Sequence, residues 1–364
     1  MVSRVVNSKN VLPILNDIVF TVKDGTLSLK ASDSENTITT DVPLGTSEGE
    51  ATFSVNARDI TDAVKNIASE QEMTFEYDES ANIVKVNYFS GLFSLPATSA
   101  LEFPVTPSLN EESKVSFQMT DQKLADNIGR TLFATAQDEL RPVMNGIFFD
   151  LKEDGLIIVA SDGHQLIQCH LSDIKAESQE QAGSFILPKK PAGLLKNILG
   201  KSGEAVEIAS DGRNLTVTAG PFSLTSRLIE GRYPNYNSVI PKNNTNILTV
   251  NRLDMLAALK RISPFSSGAS NLIRMHVSEN KVQFDAEDWE FNKTATEKMV
   301  CDYNGNEMSI GFKGCSVMEL LTNITSQEVV AQLADPARAA LFLPSEQPEG
   351  EEILMLQMPM LIND

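Results

Sequence analysis

The chain has 364 residues, of which 41% are hydrophobic and 22% are charged. This composition supports a sizeable core and more than one folded unit, and it excludes the disordered and fibrous classes. Thirty Lys and Arg against forty-nine Asp and Glu give a formal net charge of −19, which confines any contact with nucleic acid to local basic patches.

The cysteines and the apolar segments exclude further classes. Cys169, Cys301 and Cys315 lie far apart and form no CxxC pair, so the sequence predicts neither a disulfide framework nor a structural zinc site. No apolar stretch is long enough to span a bilayer, and the first residues lack the apolar core of a signal peptide. We therefore expect a soluble cytoplasmic protein that needs no cofactor and contacts no membrane.

Three related segments follow one another along the chain. Residues 25–33 are similar in sequence to residues 155–162 and, more weakly, to residues 280–288. The last residues of these segments, Asp33, Asp162 and Asp288, are 129 and 126 residues apart. Each segment is followed by apolar residues at helical spacing, within residues 53–68, 185–199 and 310–324. The spacing predicts one amphipathic helix in each repeat.

Two of the repeats open on a second predicted helix. Thr120 and Asn251 are candidate N-caps, and the apolar residues that follow are Leu124, Ile128 and Leu132 or Leu253, Leu256 and Leu259. The repeated Asp follows the helix N-cap by 42 residues in the second repeat and by 37 residues in the third, whereas only 32 residues precede Asp33. We therefore expect the first repeat to lack its opening strand and the start of its first helix.

The other segments alternate between apolar and polar residues, as at 83–87, 215–218 and 281–284, and Asp-Gly pairs begin at residues 24, 154 and 211. Both features are typical of antiparallel hairpins. The predicted fold class is α+β, with two helices packed on an antiparallel sheet in each repeat. Linkers rich in Pro and Asn at 104–110 and 241–246 predict three domains, at residues 1–106, 115–240 and 243–364.

Five separated motifs connect these repeats to a known family. They are Leu-Pro-Ile-Leu at 12–15, Arg-Pro-Val-Met-Asn-Gly at 141–146, Ala-Ser-Asp-Gly-His-Gln-Leu at 160–166, Glu-Gly-Arg-Tyr-Pro-Asn-Tyr at 230–236 and Met-Pro-Met at 358–360. Over essentially the whole chain they resemble the bacterial DNA polymerase III beta subunit, the sliding clamp family. The resemblance implies three DNA-clamp domains and a ring-shaped head-to-tail homodimer, with helices around duplex DNA and sheets outside.

The charge distribution agrees with this expectation. Residues 56–67, 120–136, 188–201, 251–263 and 311–326 hold 12 Lys or Arg and 6 Asp or Glu. These helical segments therefore sum to +6 and leave −25 for the rest of the chain, which favours DNA in the hole and repels it elsewhere. Backbone contacts of this kind carry no sequence information.

The run at 188–201 is the strongest basic signal because it contains no acidic residue, whereas Asp59 follows Arg58 where many relatives carry a second cation. The alternative is that these cations only lie on solvated helix faces. The side chains expected to face DNA are Lys9, Arg58, Lys65, Lys123, Arg130, Arg141, Lys189, Lys190, Lys196, Lys201, Arg252, Lys260 and Arg261.

The resemblance also implies a pocket for a short partner peptide with Leu and Phe anchors. Its walls would be Met144, Ser161, Gly163, His164, Gln165, Leu166, Pro234, Ser238, Val239, Leu341, Leu343, Leu356, Met358, Pro359, Met360 and Leu361. Flexible methionines let one pocket fit varied partners, although residues 356–360 could equally form an ordinary final strand. Gln165 and Leu361 replace basic residues of many relatives. Phe103 and Phe265 match the family's dimer interface and could equally be core residues.

No catalytic constellation accompanies these motifs. Asp162 and His164 resemble an acid and base pair, but no nucleophile motif accompanies them. Gly200-Lys201-Ser202 echoes a phosphate-binding loop, yet Leu195 stands where that loop needs its first glycine, and the tripeptide follows a helix. The acidic stretch at 346–352 lacks the ligand alternation of a calcium site.

The leading hypothesis is a non-enzymatic processivity factor on duplex DNA that tethers a polymerase at high effective concentration. Its expected partners are the polymerase III catalytic subunit, a clamp loader, and other polymerases and repair proteins, at the nucleoid. The alternatives are a monomeric peptide-binding adaptor that never closes on DNA and a nucleotide hydrolase built around Asp162 and His164.

Overall fold

The computed structural model describes residues 1–68 and 71–362. Its helices are α1 (Ala57–Val64), α2 (Asp121–Leu132), α3 (Lys189–Ile198), α4 (Arg252–Ile262) and α5 (Gly314–Asn323). The strands of residues 1–240 are β1 (Asp17–Lys23), β2 (Thr26–Ser32), β3 (Asn36–Pro43), β4 (Ala51–Asn56), β5 (Met73–Asp78), β6 (Ile83–Tyr88), β7 (Gly91–Thr98), β8 (Val115–Thr120), β9 (Gly146–Lys152), β10 (Gly155–Ser161), β11 (Gln165–Leu171), β12 (Gly183–Pro188), β13 (Ala205–Ser210), β14 (Asn214–Ala219) and β15 (Phe222–Arg227). Those that follow are β16 (Asn246–Asn251), β17 (Leu272–Ser278), β18 (Lys281–Asp288), β19 (Lys293–Val300), β20 (Asp302–Tyr303), β21 (Met308–Lys313), β22 (Glu328–Leu333), β23 (Ala340–Pro344) and β24 (Glu351–Gln357).

The described residues form two compact units, one of residues 1–124 and 193–228 and one of residues 125–192 and 229–364. The first unit contains an 11-stranded sheet in the order β5-β6-β7-β4-β1-β2-β3-β15-β14-β13-β8. The second contains a nine-stranded sheet, β12-β9-β10-β11-β24-β23-β22-β16-β20, and a four-stranded sheet, β19-β18-β17-β21. The three domain boundaries expected from the linkers stay a prediction.

The repeat predicted from the sequence is visible in the strand pairing. Each repeat has an antiparallel trio, β1 to β3, β9 to β11 and β17 to β19, and a second trio, β5 to β7, β13 to β15 and β22 to β24. The last strands of two trios pair at each junction: β3 with β15 in the first unit and β11 with β24 in the second. Sheets therefore run continuously from one repeat into the next.

The repeated aspartate has the same structural role in all three repeats. The Oδ1 atoms of Asp33, Asp162 and Asp288 each accept hydrogen bonds from the backbone N–H groups two and three residues later. Such a turn lets the carboxylate replace a backbone acceptor between two strands. The predicted hairpin turn at Asp24-Gly25 also forms, with φ of 49° and 71° as a tight two-residue loop requires.

The helices form where the apolar spacing predicts them, and Asn251 caps α4 by accepting from the backbone N–H of Asp254. One of the apolar residues at helical spacing lies outside the buried face: Leu253 is 60% exposed. The buried stripe of α4 consists of Met255, Leu256, Ala258, Leu259 and Ile262. Because a helix has 3.6 residues per turn, residues three apart are separated by about 60° around its axis, so Leu253 lies about 120° from Leu259 and outside the buried stripe.

Candidate functional site

Four of the leucines predicted for the peptide pocket meet in the second unit. Leu166 on β11 lies opposite Leu356 on β24, and Leu356 lies opposite Leu341 on β23. All three are buried, and the half-buried Leu343 packs on the same cluster. Three adjacent strands thus build one continuous apolar floor, which we call the leucine pocket.

Aromatic residues from β9 and from the segment after β15 pack on this floor. The rings of Tyr233 and Phe148 stack at a centroid distance of 4.7 Å, and Tyr236 is buried in the same cluster. The Tyr-Pro-Asn-Tyr motif stands out in the sequence, but its tyrosines were not predicted as pocket residues. Ile157 and Val159 were not predicted either; their spacing of two residues on β10, which places both on one face of the sheet, was the available signal.

The other predicted pocket residues lie around this floor. Val143 packs on the cluster, and Met144, the next residue of the 3-10 turn at 142–145, is buried and its carbonyl oxygen accepts from the Ala136 N–H; its place in the pocket stays a prediction. Exposed or half-buried residues at the other predicted positions are Ser161, Gly163, His164, Pro234, Ser238, Val239, Met358, Pro359, Met360 and Leu361.

Backbone hydrogen bonds fix the last residues next to the floor. The Met358 N–H donates to the His164 carbonyl oxygen at 2.8 Å, and the Met360 N–H donates to that of Gly311 at 2.8 Å. Asp162 accepts from the backbone N–H groups of His164 and Gln165, both at 2.8 Å. This geometry assigns Asp162 to the turn, and the turn sets the position of His164.

The corresponding point of the first unit carries no such floor. Thr37 lies opposite Thr225 where β3 meets β15, one residue beyond the pair of Asn36 and Ser226. The Leu166 and Leu356 pair stands one residue beyond Gln165 and Gln357, at the same place in the repeat. Two threonines therefore replace two leucines, and the apolar floor is specific to one junction.

The basic side chains predicted to face DNA fall into three groups. Lys9, Lys196, Lys201 and Lys260 are exposed, while Lys123, Lys189 and Lys190 are half-buried. Burial lowers the pKa of Lys189, although the nearby Asp162 opposes that shift. The exposed cations bonded to a neighbouring carboxylate are Arg58 and Lys65 with Asp62, Arg141 with Asp138, and Arg261 with Glu297.

Arg130 is a correction to the predicted DNA surface. Arg130 is only 8% exposed, and its Nη1 atom donates to Glu351 Oε2 at 2.5 Å. Asn127 donates to the other oxygen of the same carboxylate at 3.3 Å. The guanidinium is thus used inside the protein, because helix α2 turns this position toward the first residue of β24.

Arg252 is also engaged by the protein. Its Nε donates to the Ser326 carbonyl oxygen at 2.9 Å and its Nη1 to that of Leu321 at 3.0 Å. These bonds satisfy a carbonyl in the last turn of α5, where orphan acceptors attract cations. The half-buried Arg252 therefore caps the C-terminal end of α5.

The loop after α3 is organised around the Asp121 carboxylate. Oδ2 accepts from the backbone N–H groups of Gly200, Lys201 and Ser202 at 3.0–3.1 Å and from the Ser202 hydroxyl at 2.9 Å, and Oδ1 accepts from the Gly203 N–H at 2.8 Å. The nest that resembles a phosphate loop is therefore filled by a side chain of the protein itself.

The hydrogen bonds also decide how Asp121 titrates. Burial alone would raise its pKa, but the hydrogen bonds from Ser202, Lys201 and Gly203 outweigh burial and lower the pKa to about 2. A carboxylate that accepts several N–H bonds is stabilised in its charged form. Asp121 holds the loop in the conformation that presents Lys201 to solvent.

The predicted interface phenylalanines are accessible to different degrees. Phe265 ends a 3-10 turn and is 39% exposed, whereas Phe103 is half-buried. Among residues 1–68 and 71–362, no group of three or more His, Cys, Asp or Glu could hold a metal ion. In the same residues, no helix has the length and apolarity needed to cross a membrane.

Comparisons with known proteins cover the chain in three consecutive parts. The DNA polymerase III beta subunit N-terminal, central and C-terminal domain families match residues 1–107, 118–235 and 237–360. The beta sliding clamp of Haemophilus influenzae is 27% identical over 355 residues, which are 97% of this chain and 94% of that protein. The beta sliding clamp of Proteus mirabilis is 30% identical over 337 residues, 92% of this chain and 89% of the relative.

Solved structures give the same result. A sliding clamp from Pseudomonas aeruginosa bound to griselimycin matches with a TM-score of 0.91 and 26% identity, over 99% of this chain and 95% of that one. A clamp from Thermotoga maritima matches with a TM-score of 0.88 at 24% identity, over 100% of this chain and 95% of that one. The second match supports the fold alone.

Proposed function

The chain belongs to the DNA polymerase III beta subunit family, and from that premise we propose how this sliding clamp holds DNA and its partners. It closes as a head-to-tail homodimer around duplex DNA, at the nucleoid in the cytoplasm. The leucine pocket receives a short peptide of the polymerase III catalytic subunit, the clamp loader or a repair protein. The clamp performs no chemistry itself.

The observation that carries this proposal is the leucine pocket. Its floor is buried and apolar, while its rim includes Val239, Met358 and Leu361, which are 57%, 39% and 86% exposed. Burying a Leu or Phe anchor there removes apolar area from water on both partners. An extended segment with two such anchors is the ligand that fits this arrangement.

Leu343→Asp should abolish peptide binding. The change places an unpaired carboxylate beside the apolar floor, where docking would have to desolvate it. We expect a fluorescent synthetic peptide with a Leu-Phe pair to bind at least about 100-fold more weakly, measured by anisotropy. Val11→Asp, at a side chain that is 98% exposed in the first unit, is the matched control and should bind normally. Equal affinity of both variants would contradict the peptide pocket.

Dimer closure is supported by the two strands that the repeat leaves without a partner strand. In the described chain, β7 pairs along its length with β6 and reaches β4 only at Ala97 and Thr98, while β19 ends its sheet beside β18. The strands equivalent to β19 and β7 pair with each other at the two junctions within the chain: β3 with β15, and β11 with β24. Pairing β19 of one copy with β7 of another completes the series and produces a head-to-tail contact.

Exposure at the equivalent turn positions supports the same arrangement. Asn36 and Gln165, three residues after their turn aspartates, are 4% and 6% exposed. Phe291 is the equivalent residue, three positions after Asp288, and it is 68% exposed. Trp289, two residues before Phe291, is 83% exposed. Two large aromatic side chains in this setting are typical of a protein interface.

The DNA contacts are proposed for the exposed cations at α3 and the loop that follows it. Lys196→Gln with Lys201→Gln should weaken binding to duplex DNA regardless of sequence. We expect the slope of log affinity against log salt to fall by about one for each lysine, measured by anisotropy at several salt concentrations. Lys23→Gln with Lys281→Gln removes two exposed lysines from strand ends and should leave the slope unchanged. An unchanged slope in the first variant would exclude these lysines from the DNA surface.

A further inference from the structure

A groove lies between α4 and β19 in the third repeat. It has a volume of about 340 Å³, and its lining includes Ala257 and Ala258 from α4 and Met299 and Val300 from β19. Val300 is 82% exposed. The Arg261 and Glu297 side chains form a two-bonded ion pair across it, at 2.7 and 3.1 Å. We call this feature the α4–β19 groove.

The second repeat shows what occupies the equivalent space. Arg130 and Arg261 are equivalent, because each lies nine residues after the first residue of its helix. Arg130 bonds to Glu351, the first residue of β24, which is the strand paired with β11. The start of the joining strand therefore lies beside the helix and bonds to its arginine. In the third repeat Arg261 bonds instead to β19 of its own sheet.

Under the dimer proposed above, the joining strand is β7 of a second copy. Its first residue is Gly91, and Phe89 stands two residues earlier on the turn between β6 and β7. Phe89 is 90% exposed. The turn beneath it is fixed by the stacked rings of Tyr88 and Phe93, whose centroids are 5.0 Å apart. The exposed Phe89 ring therefore lies at the start of the joining strand. By equivalence with the second repeat, that point lies beside the groove of the other copy.

We propose that Phe89 of one copy inserts into the α4–β19 groove of the second copy and anchors the closed ring. Its ring covers the apolar wall of Ala257, Met299 and Val300, and the planar Arg261 guanidinium offers a face on which an aromatic ring stacks. Glu297 neutralises the arginine, so that the contact buries no unpaired charge. This inference rests on the proposed homodimer and names the contact that stabilises it.

The first test compares dimer dissociation by light scattering over a dilution series, with emission of the single Trp289 as a second readout. Phe89→Ser should raise the dimer dissociation constant about a hundredfold, because an anchor is lost at both interfaces of a two-fold dimer. Leu140→Ser removes a side chain that is 92% exposed in the second unit and should leave the constant unchanged. Both substitutions lie at exposed positions, so we expect normal unfolding temperatures.

The second test locates the contact by cross-linking. Phe89→Cys with Ala257→Cys, in a Cys315→Ser background that removes the exposed thiol, should give a covalent dimer on mild oxidation. Leu140→Cys with Ala257→Cys should not. If the unmodified chain dimerises while Phe89→Ser has no effect and the cysteine pair stays monomeric on a non-reducing gel, the Phe89 contact is wrong and the dimer stands. A chain that is monomeric at every concentration would overturn the proposed dimer itself.

Discussion

Arg130→Met is expected to lower the free energy of unfolding by about 3–5 kcal/mol. The substitution leaves the Glu351 carboxylate, whose residue is 8% exposed, buried beside α2 without its cation. A buried carboxylate that loses its counter-charge keeps most of its desolvation cost, because the Asn127 hydrogen bond to its other oxygen offsets only part of that cost. Chemical denaturation with urea, followed by circular dichroism, measures the change.

Two further variants separate the charge from the packing. Arg130→Met with Glu351→Leu removes both charges and should recover most of the loss, since a well-packed apolar pair replaces a buried ion pair at little cost. Arg338→Met breaks the pair with Asp335, where the side chains are 62% and 47% exposed, and should cost less than about 1 kcal/mol. A loss of that size for Arg130→Met would mean that the buried pair contributes no more than a surface pair.

Asp121→Ala is expected to lower the free energy of unfolding by about 3 kcal/mol or more. The change removes the shared acceptor of four backbone N–H groups and one hydroxyl in the loop at 200–203. Each donor that stays buried without an acceptor costs about 1–3 kcal/mol, and relaxation of the loop recovers part of the sum. Urea denaturation at pH 7 measures this change, with Asp24→Asn at an exposed hairpin turn as the control for losing one carboxylate.

The same carboxylate predicts a dependence on pH with a defined sign. Its pKa is about 2 in the folded chain and about 3.9 in an unfolded one, so folding favours the ionised form. The stabilisation is fully present above about pH 4 and disappears as the pH falls toward 2. The difference in unfolding free energy between the unmodified chain and Asp121→Asn should therefore shrink below pH 4. A difference that stays constant from pH 6 to pH 3 would contradict the lowered pKa.

The sequence predicts the helices, hairpins and repeat well because these depend on local spacing. The N-caps at Thr120 and Asn251 directly precede their helices. The turn aspartates likewise lie within a few residues of the strands that they connect. The leucine floor could be predicted only through the family resemblance, since Leu166, Leu341 and Leu356 meet through pairing between distant strands. The partners of Arg130 and Asp121 were not predictable, because Glu351 is 221 residues away from Arg130 and the loop at 200–203 joins α2 only in the fold.

The exchange of two leucines for two threonines has a consequence for stoichiometry. Thr37 and Thr225 occupy the place in one junction that Leu166 and Leu356 occupy in the other, so the proposed docking position occurs at one of the two junctions that the structure describes. A two-fold head-to-tail ring then offers two, and its rotation axis along the hole puts both on the same face. Under the proposed function, partner peptides share or exchange these two positions, a number that follows from one cross-strand pair in each chain.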